Sequence, residues 1–255
     1  MNGINVEHHS EVTVVTIDRP ARRNAVDPET AAQLAGAFRA FDADAGQSVA
    51  VLTGAGGTFC AGFDLVALAG GDAVLDYSGD APMGVSRLQL GKPVIAAVEG
   101  HAVAGGLELA LWCDLRVAAA SAVFGVFSRR FGVPLVDGGT LRLPRIVGQG
   151  RALDMILTGR SVHAGEALHW GLVDRVVPHG AALDAALRLA RHIAAVPQLC
   201  MRSDRMAALE QWSLPFDAAL RNETRHGIEV IASGETAEGA RRFRDGAGRH
   251  GTELS

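Results

Sequence analysis

Twice in this chain an apolar strand runs into a glycine-rich turn that opens a helix. SVAVLTGA (Ser48 to Ala55) leads into GAGGTFCAG and then FDLVALAG, and KPVIAAVEG leads into AGGLELALWCDLRVA. Strands this apolar along their whole length must be covered on both faces, so the recurrence predicts an α/β architecture with buried sheets and helices packed outside them. SAVFGV continues the pattern. Upstream, EVTVVTID alternates as a strand with one buried face does. In DPETAAQLAGAFRAFDAD the spacing of Leu34, Phe38 and Phe41 predicts a helix with Asp27 as its N-cap. RALDMILTG, HAGEALHWG and AALDAALRLARHIAAV are also helical in pattern, with Gly159 and Gly171 as stops. GGDAVLDYSGDAPMG, from Gly70 to Gly84, has no period and reads as a loop.

Composition narrows the function classes. The 255 residues are 48% hydrophobic and 20% charged, which supports a well-cored globular protein; the net charge of −4 offers no basic field for nucleic acid or an anionic membrane. Cys60, Cys113 and Cys200 are odd in number and far apart, which excludes a disulfide framework or a CxxC metal pattern and fits a reducing cytoplasm. The N-terminus lacks a secretory signal pattern. The longest apolar region, Pro93 to Phe124, is broken by Glu99, His101, Glu108, Asp114 and Arg116, so no membrane span is expected.

The glycine turns carry the chemistry. GAGGTF misses the GxGxxG spacing, and the acidic residue a dinucleotide site needs about 20 positions later is absent, which speaks against a nucleotide-binding turn. A helix N-terminus presents unpaired N–H groups, and two of them aimed at one point would stabilise a carbonyl becoming an enolate. Glu108 stands three residues after Gly105, inside an apolar run. A buried carboxylate is costly unless paired, hydrogen-bonded or protonated, so its position calls for a role: exchanging a proton beside that carbonyl.

Four stretches together resemble the crotonase superfamily, the enoyl-CoA hydratase/isomerase family: RPARRNAVD, GTFCAGFDL, AVEGHAVAGGLELALWCD, and FGVPLVDGGTLRLPRIVG followed by LTGRSVHAGEALHWGLVDRVV. The likeness covers essentially the whole chain. It implies a spiral of ββα units over residues 1–195, holding the acyl-CoA site, and a helical oligomerisation region over 196–255 that builds a homotrimer or a hexamer. It implies that the backbone N–H groups of Phe63 and Gly105 form an oxyanion hole for an acyl-CoA thioester, and that Arg22, Arg23, Ala25, Ala61, Asp64 and Leu65 line the path of CoA. Phe243 and the arginines of ARRFRDGAGRH would reach CoA held by a neighbouring subunit. No metal is expected, and no cofactor apart from the CoA of the substrate.

The sequence departs from the family at one place. Hydratases of this family carry two glutamates; Glu108 matches the first, and the second falls on Ser128, which cannot serve as acid or base. The nearest replacement is Asp137, readable either as a second working carboxylate or as an N-cap for the helix beginning at GGTLRL. Arg129 and Arg130 would pair with Asp137 or Glu108 or face solvent, and His101 and Cys60 read as structural. Ser128 lacks the GxSxG context of a hydrolase nucleophile. The resulting expectation is an enoyl-CoA hydratase, with a double-bond isomerase using Glu108 alone and a non-catalytic acyl-CoA binder as alternatives.

Overall fold

The computed structural model describes residues 3–70 and 79–247. The loop expected between Gly70 and Gly84 therefore lies largely outside the described residues, as do Arg249 and His250 of the C-terminal arginine segment. By contact density the chain divides into two compact units, Met1–Arg191 and His192–Ser255.

The first unit opens with an antiparallel hairpin of β1 (Ile4–His9) and β2 (Val12–Ile17), then α1 (Pro28–Ala43), β3 (Val49–Gly54) and the short α2 (Leu65–Ala69). Next come β4 (Val94–Val98), β5 (His101–Val103), α3 (Gly105–Trp112), β6 (Leu115–Ala119), β7 (Val123–Gly125) and α4 (Gly139–Val147). It closes with α5 (Gln149–Thr158), β8 (Val162–His163), α6 (Ala164–Trp170), β9 (Arg175–Val177) and most of α7 (Ala182–Ala194). One sheet has the order β1-β2-β3-β4-β6-β9, parallel after the first hairpin; the other has the order β5-β7-β8. The strand pairs β4/β5 and β6/β7 each send one strand to either sheet: β4 and β6 to the first, β5 and β7 to the second.

Local chemistry sets the elements. The Asp27 side chain accepts the Thr30 N–H at 2.9 Å and caps α1, whose Leu34, Phe38 and Phe41 face the core. Gly159 and Gly171 end α5 and α6 in left-handed backbone (φ 60° and 75°), the conformation that favours glycine. Strands β3 and β4 are buried along nearly their whole length, as their apolar run requires. The hairpin partner β1 is a difference from the sequence reading. Its INVEHH is exposed along most of its length and joins β2 through Ser10 at φ 57°, so neither apolar run nor alternation marks it.

The second unit holds α8 (Gln198–Glu210), α9 (Phe216–Ala232) and α10 (Glu235–Arg244), which pack on one another. Within these helices the described residues bury only Ser203 and Val230, while Leu199, Leu209, Phe216, Ile228 and Ile231 are exposed.

Candidate active site

Two turns meet at the mouth of a cavity. The first runs from Cys60 to Asp64: Gly62 has φ +103°, and a Cβ added there would lie 2.9 Å from both the Gly105 nitrogen and the Ala104 Cβ. The second enters α3 through Ala104, held at φ 53°, and a Cβ on Gly106 would come within 2.1 Å of the Cys60 carbonyl oxygen. Only glycine allows so close an approach. Among the described residues no acceptor takes the N–H of Phe63 or of Gly105. Both residues line the cavity.

Glu108 lies in the first turn of α3, 2% exposed. Its Oε1 accepts the N–H of Asp137 at 3.0 Å and the N–H of Gly139 at 2.8 Å. The start of α4 thus fixes the carboxylate. Burial pushes the Glu108 carboxyl up to about 7 and the nearby Asp137 charge adds to this, against the pull of the two amides and Arg142. A group with that value holds and releases protons near neutral pH.

The cavity encloses about 430 Å³. Its described lining lies between Ala61 and Asp137 and is mostly apolar: Phe63, Leu65, Met83, Phe127 and Val133 among others, with Glu108, Asp137 and Ser128 as its polar side chains. Ser128 is 8% exposed, and its hydroxyl has no hydrogen-bond partner among the described residues.

The N-cap reading of Asp137 is overturned. Gly138, in left-handed backbone, stands at the cap of α4, and no side chain caps that helix. Asp137 Oδ1 instead accepts the N–H of Met83 at 3.0 Å and the hydroxyl of Ser86 at 2.5 Å. Burial raises the Asp137 carboxyl from its usual range, with Ser86, Met83 and the charges of Arg87 and Arg142 opposing. Arg129 and Arg130 pair with neither carboxylate: they donate to the carbonyls of Ile156 and Gly159, and Arg130 stacks over Phe127. The arginine that does reach this corner is Arg142, which donates to the carbonyls of Asp137 at 2.9 Å and Ser86 at 2.6 Å. The sequence carried no local signal for it, because its second partner is 56 residues away.

His101 is exposed on β5, and only its carbonyl is used here, accepting the Cys60 N–H. Cys60 is a packing residue. Its thiol is fully enclosed, accepts the Gly62 N–H at 3.3 Å and is pushed up to about 12 by burial.

The residues expected along CoA meet at one corner. Arg23 O accepts the Ala61 N–H, and Val26 pairs with both Gly62 and Asp64, so Arg22, Arg23 and Ala25 run beside Ala61 to Leu65. Arg22 and Arg23 are exposed. Asp64 points inward, where it caps α2 through the Val66 N–H and faces Arg19 at 3.4 Å. Arg19, missed in the sequence, ties the corner together by also pairing with Asp27.

The enoyl-CoA hydratase/isomerase family model matches residues 7–247. The chain belongs to that family. It is 39% identical over 248 residues to an enoyl-CoA hydratase, EchA19, of Mycobacterium tuberculosis, covering 93% of this chain and 92% of the relative. It is 36% identical over 217 residues to the (E)-benzylidenesuccinyl-CoA hydratase of Thauera aromatica, covering 84% and 85%. Among solved structures, enoyl-CoA hydratase EchA1 from Mycobacterium marinum superposes with a TM-score of 0.92 at 38% identity, covering 96% of each chain. The α/β spiral is the crotonase-type fold of these solved structures.

Proposed function

We propose that the protein is an enoyl-CoA hydratase acting on a 2-enoyl-CoA. The observation that carries this reading is the convergence on one apolar cavity of two N–H groups without acceptors among the described residues, those of Phe63 and Gly105, with a carboxylate held one helical turn away. In the proposed reaction the thioester oxygen sits between the two amides. Glu108 takes a proton from water as the water oxygen bonds to C3. The C2–C3 π electrons move toward the thioester, whose oxygen carries the enolate charge, and Glu108 then gives its proton to C2. Each oxyanion donor is worth about 3 to 4 kcal/mol of such a barrier.

CoA lies along Arg22, Arg23, Ala25, Ala61, Asp64 and Leu65, with no metal and no cofactor beyond the substrate's own CoA. The exposed apolar residues of α8 and α9 support self-association as a homotrimer or a dimer of trimers, with Phe243 near a neighbour's CoA; sedimentation velocity reads that state. Three free thiols suit the cytoplasm, and no described helix is long and apolar enough to cross a membrane.

Ser128 favours a second reading, a double-bond isomerase, because one carboxylate suffices to move a proton between C2 and C4. Crotonyl-CoA and a 3-enoyl-CoA, given separately, distinguish the two. Loss of conjugated thioester absorbance with crotonyl-CoA supports hydration, and its gain with the 3-enoyl-CoA alone supports isomerisation. Acyl-CoA binding without turnover of either would leave a non-catalytic binder.

A further inference from the structure

Residues 81–88 form a strap between α1 and the cavity. Gly84 passes so close to α1 that a Cβ there would lie 2.1 Å from the Ala31 carbonyl oxygen, and the Leu88 carbonyl accepts the Trp112 indole N–H at 3.0 Å. Met83 of the strap packs on the start of α3: a Cβ on Gly105 would meet its sulfur at 2.7 Å. The strap therefore walls the side of the cavity next to the Gly105 N–H.

Asp137 joins this strap to Glu108. Its carboxylate takes the Met83 N–H and the Ser86 hydroxyl on one oxygen, its own N–H goes to Glu108 Oε1, and its carbonyl accepts from Arg142. Arg142 closes the loop by donating to the Ser86 carbonyl. Each of these four contacts of Asp137 thus orients another part of the site. Resting on the hydratase reading above, we propose that Asp137 is a positioning residue, which anchors the strap and aims Glu108, and that Glu108 alone moves protons.

The substitution that separates the two roles is Asp137→Asn. An asparagine oxygen still accepts from Met83 and Ser86, but the side chain can no longer carry a proton in turnover. Asp137→Asn therefore keeps kcat/KM on crotonyl-CoA within about tenfold of the parent, the 1.4 kcal/mol scale of one altered hydrogen bond. Asp137→Ala, which loses both acceptor contacts, falls about a hundredfold. The acid limb of the pH profile survives in Asp137→Asn and moves to lower pH, because a negative charge beside Glu108 has gone. Amide hydrogen exchange at Met83 quickens in Asp137→Ala and remains near the parent rate in Asp137→Asn. Ser86→Ala breaks one strap contact with the Asp137 side chain left in place and quickens the same amide, which keeps the test open if Asp137→Ala fails to fold.

Loss of activity in Asp137→Asn as deep as in Glu108→Gln overturns the proposal, as does unchanged Met83 exchange in both Asp137→Ala and Ser86→Ala. If the parent enzyme turns over no enoyl-CoA, the hydratase reading falls by itself, and the exchange comparison still decides whether Asp137 holds the strap.

Discussion

Two polar side chains face the same cavity under opposite conditions. Glu108 receives two N–H donors on one oxygen, from residues about thirty positions further along the chain. Ser128 is buried too, yet nothing among the described residues hydrogen-bonds its hydroxyl. The difference teaches where the fold has invested its order. A carboxylate fixed by the start of another helix has one orientation and a proton affinity near neutrality, whereas an unpartnered hydroxyl has neither. On the proposed hydratase reading, this assigns proton transfer to the α3 side.

The sharpest way to break this contrast is Glu108→Gln. The amide oxygen can still accept from Asp137 and Gly139, so the fold persists while the proton carrier is lost, and kcat/KM on crotonyl-CoA falls about a thousandfold. Retained activity within tenfold would remove Glu108 from the chemistry. The oxyanion side is tested by Gly62→Ala, which places a methyl 2.9 Å from the Gly105 nitrogen at a φ of +103°. Shifting one donor costs about a hundredfold in kcat. KM should change less, because the developing charge feels that donor more than the ground state does.

A third test reads protons directly. With Glu108 pushed up to about 7, hydration rises with pH through that value and levels above it, because the base must be ionised. Stability runs the other way. Below pH 4.5 the carboxyl is protonated in both states; between 4.5 and 7 the unfolded chain loses the proton while the folded chain keeps it, so stability falls as pH rises. Relative to Glu108→Gln, the parent should lose about 3 kcal/mol between pH 4 and pH 8, measured by denaturant titration at each pH. A flat difference would mean that the carboxyl is not held neutral by burial.

Much of this contrast was legible before the structure, and the reason is distance along the chain. Asp27, Gly159 and Gly171 act on neighbours within one turn, so caps and stops could be read from local patterns. Glu108 stood out because a carboxylate in an apolar run needs an explanation. Of the two readings open for Asp137, the N-cap fails because its carboxylate binds residues more than fifty positions away, which local spacing does not show. Arg142 escapes for the same reason, and so does the reach of Arg19 to Asp64, 45 positions on. The exposed strand β1 was missed because it pairs by register alone.

The smallest expected effect sharpens the comparison most, since it concerns the residue with no assigned partner. A buried hydroxyl left without a hydrogen bond costs about 1 to 3 kcal/mol relative to a satisfied one, so Ser128→Ala removes a penalty together with one small atom. Its thermal midpoint should equal or slightly exceed that of the parent. Hydration of crotonyl-CoA should stay within about threefold, because the difference of one weak contact is under 1 kcal/mol. A midpoint lowered by several degrees would show that Ser128 has a structural partner. A hundredfold loss of kcat with the midpoint unchanged would show that the hydroxyl meets the substrate or its water, and the chemistry would then belong to both walls of the cavity, Glu108 supplying the proton and Ser128 holding the oxygen.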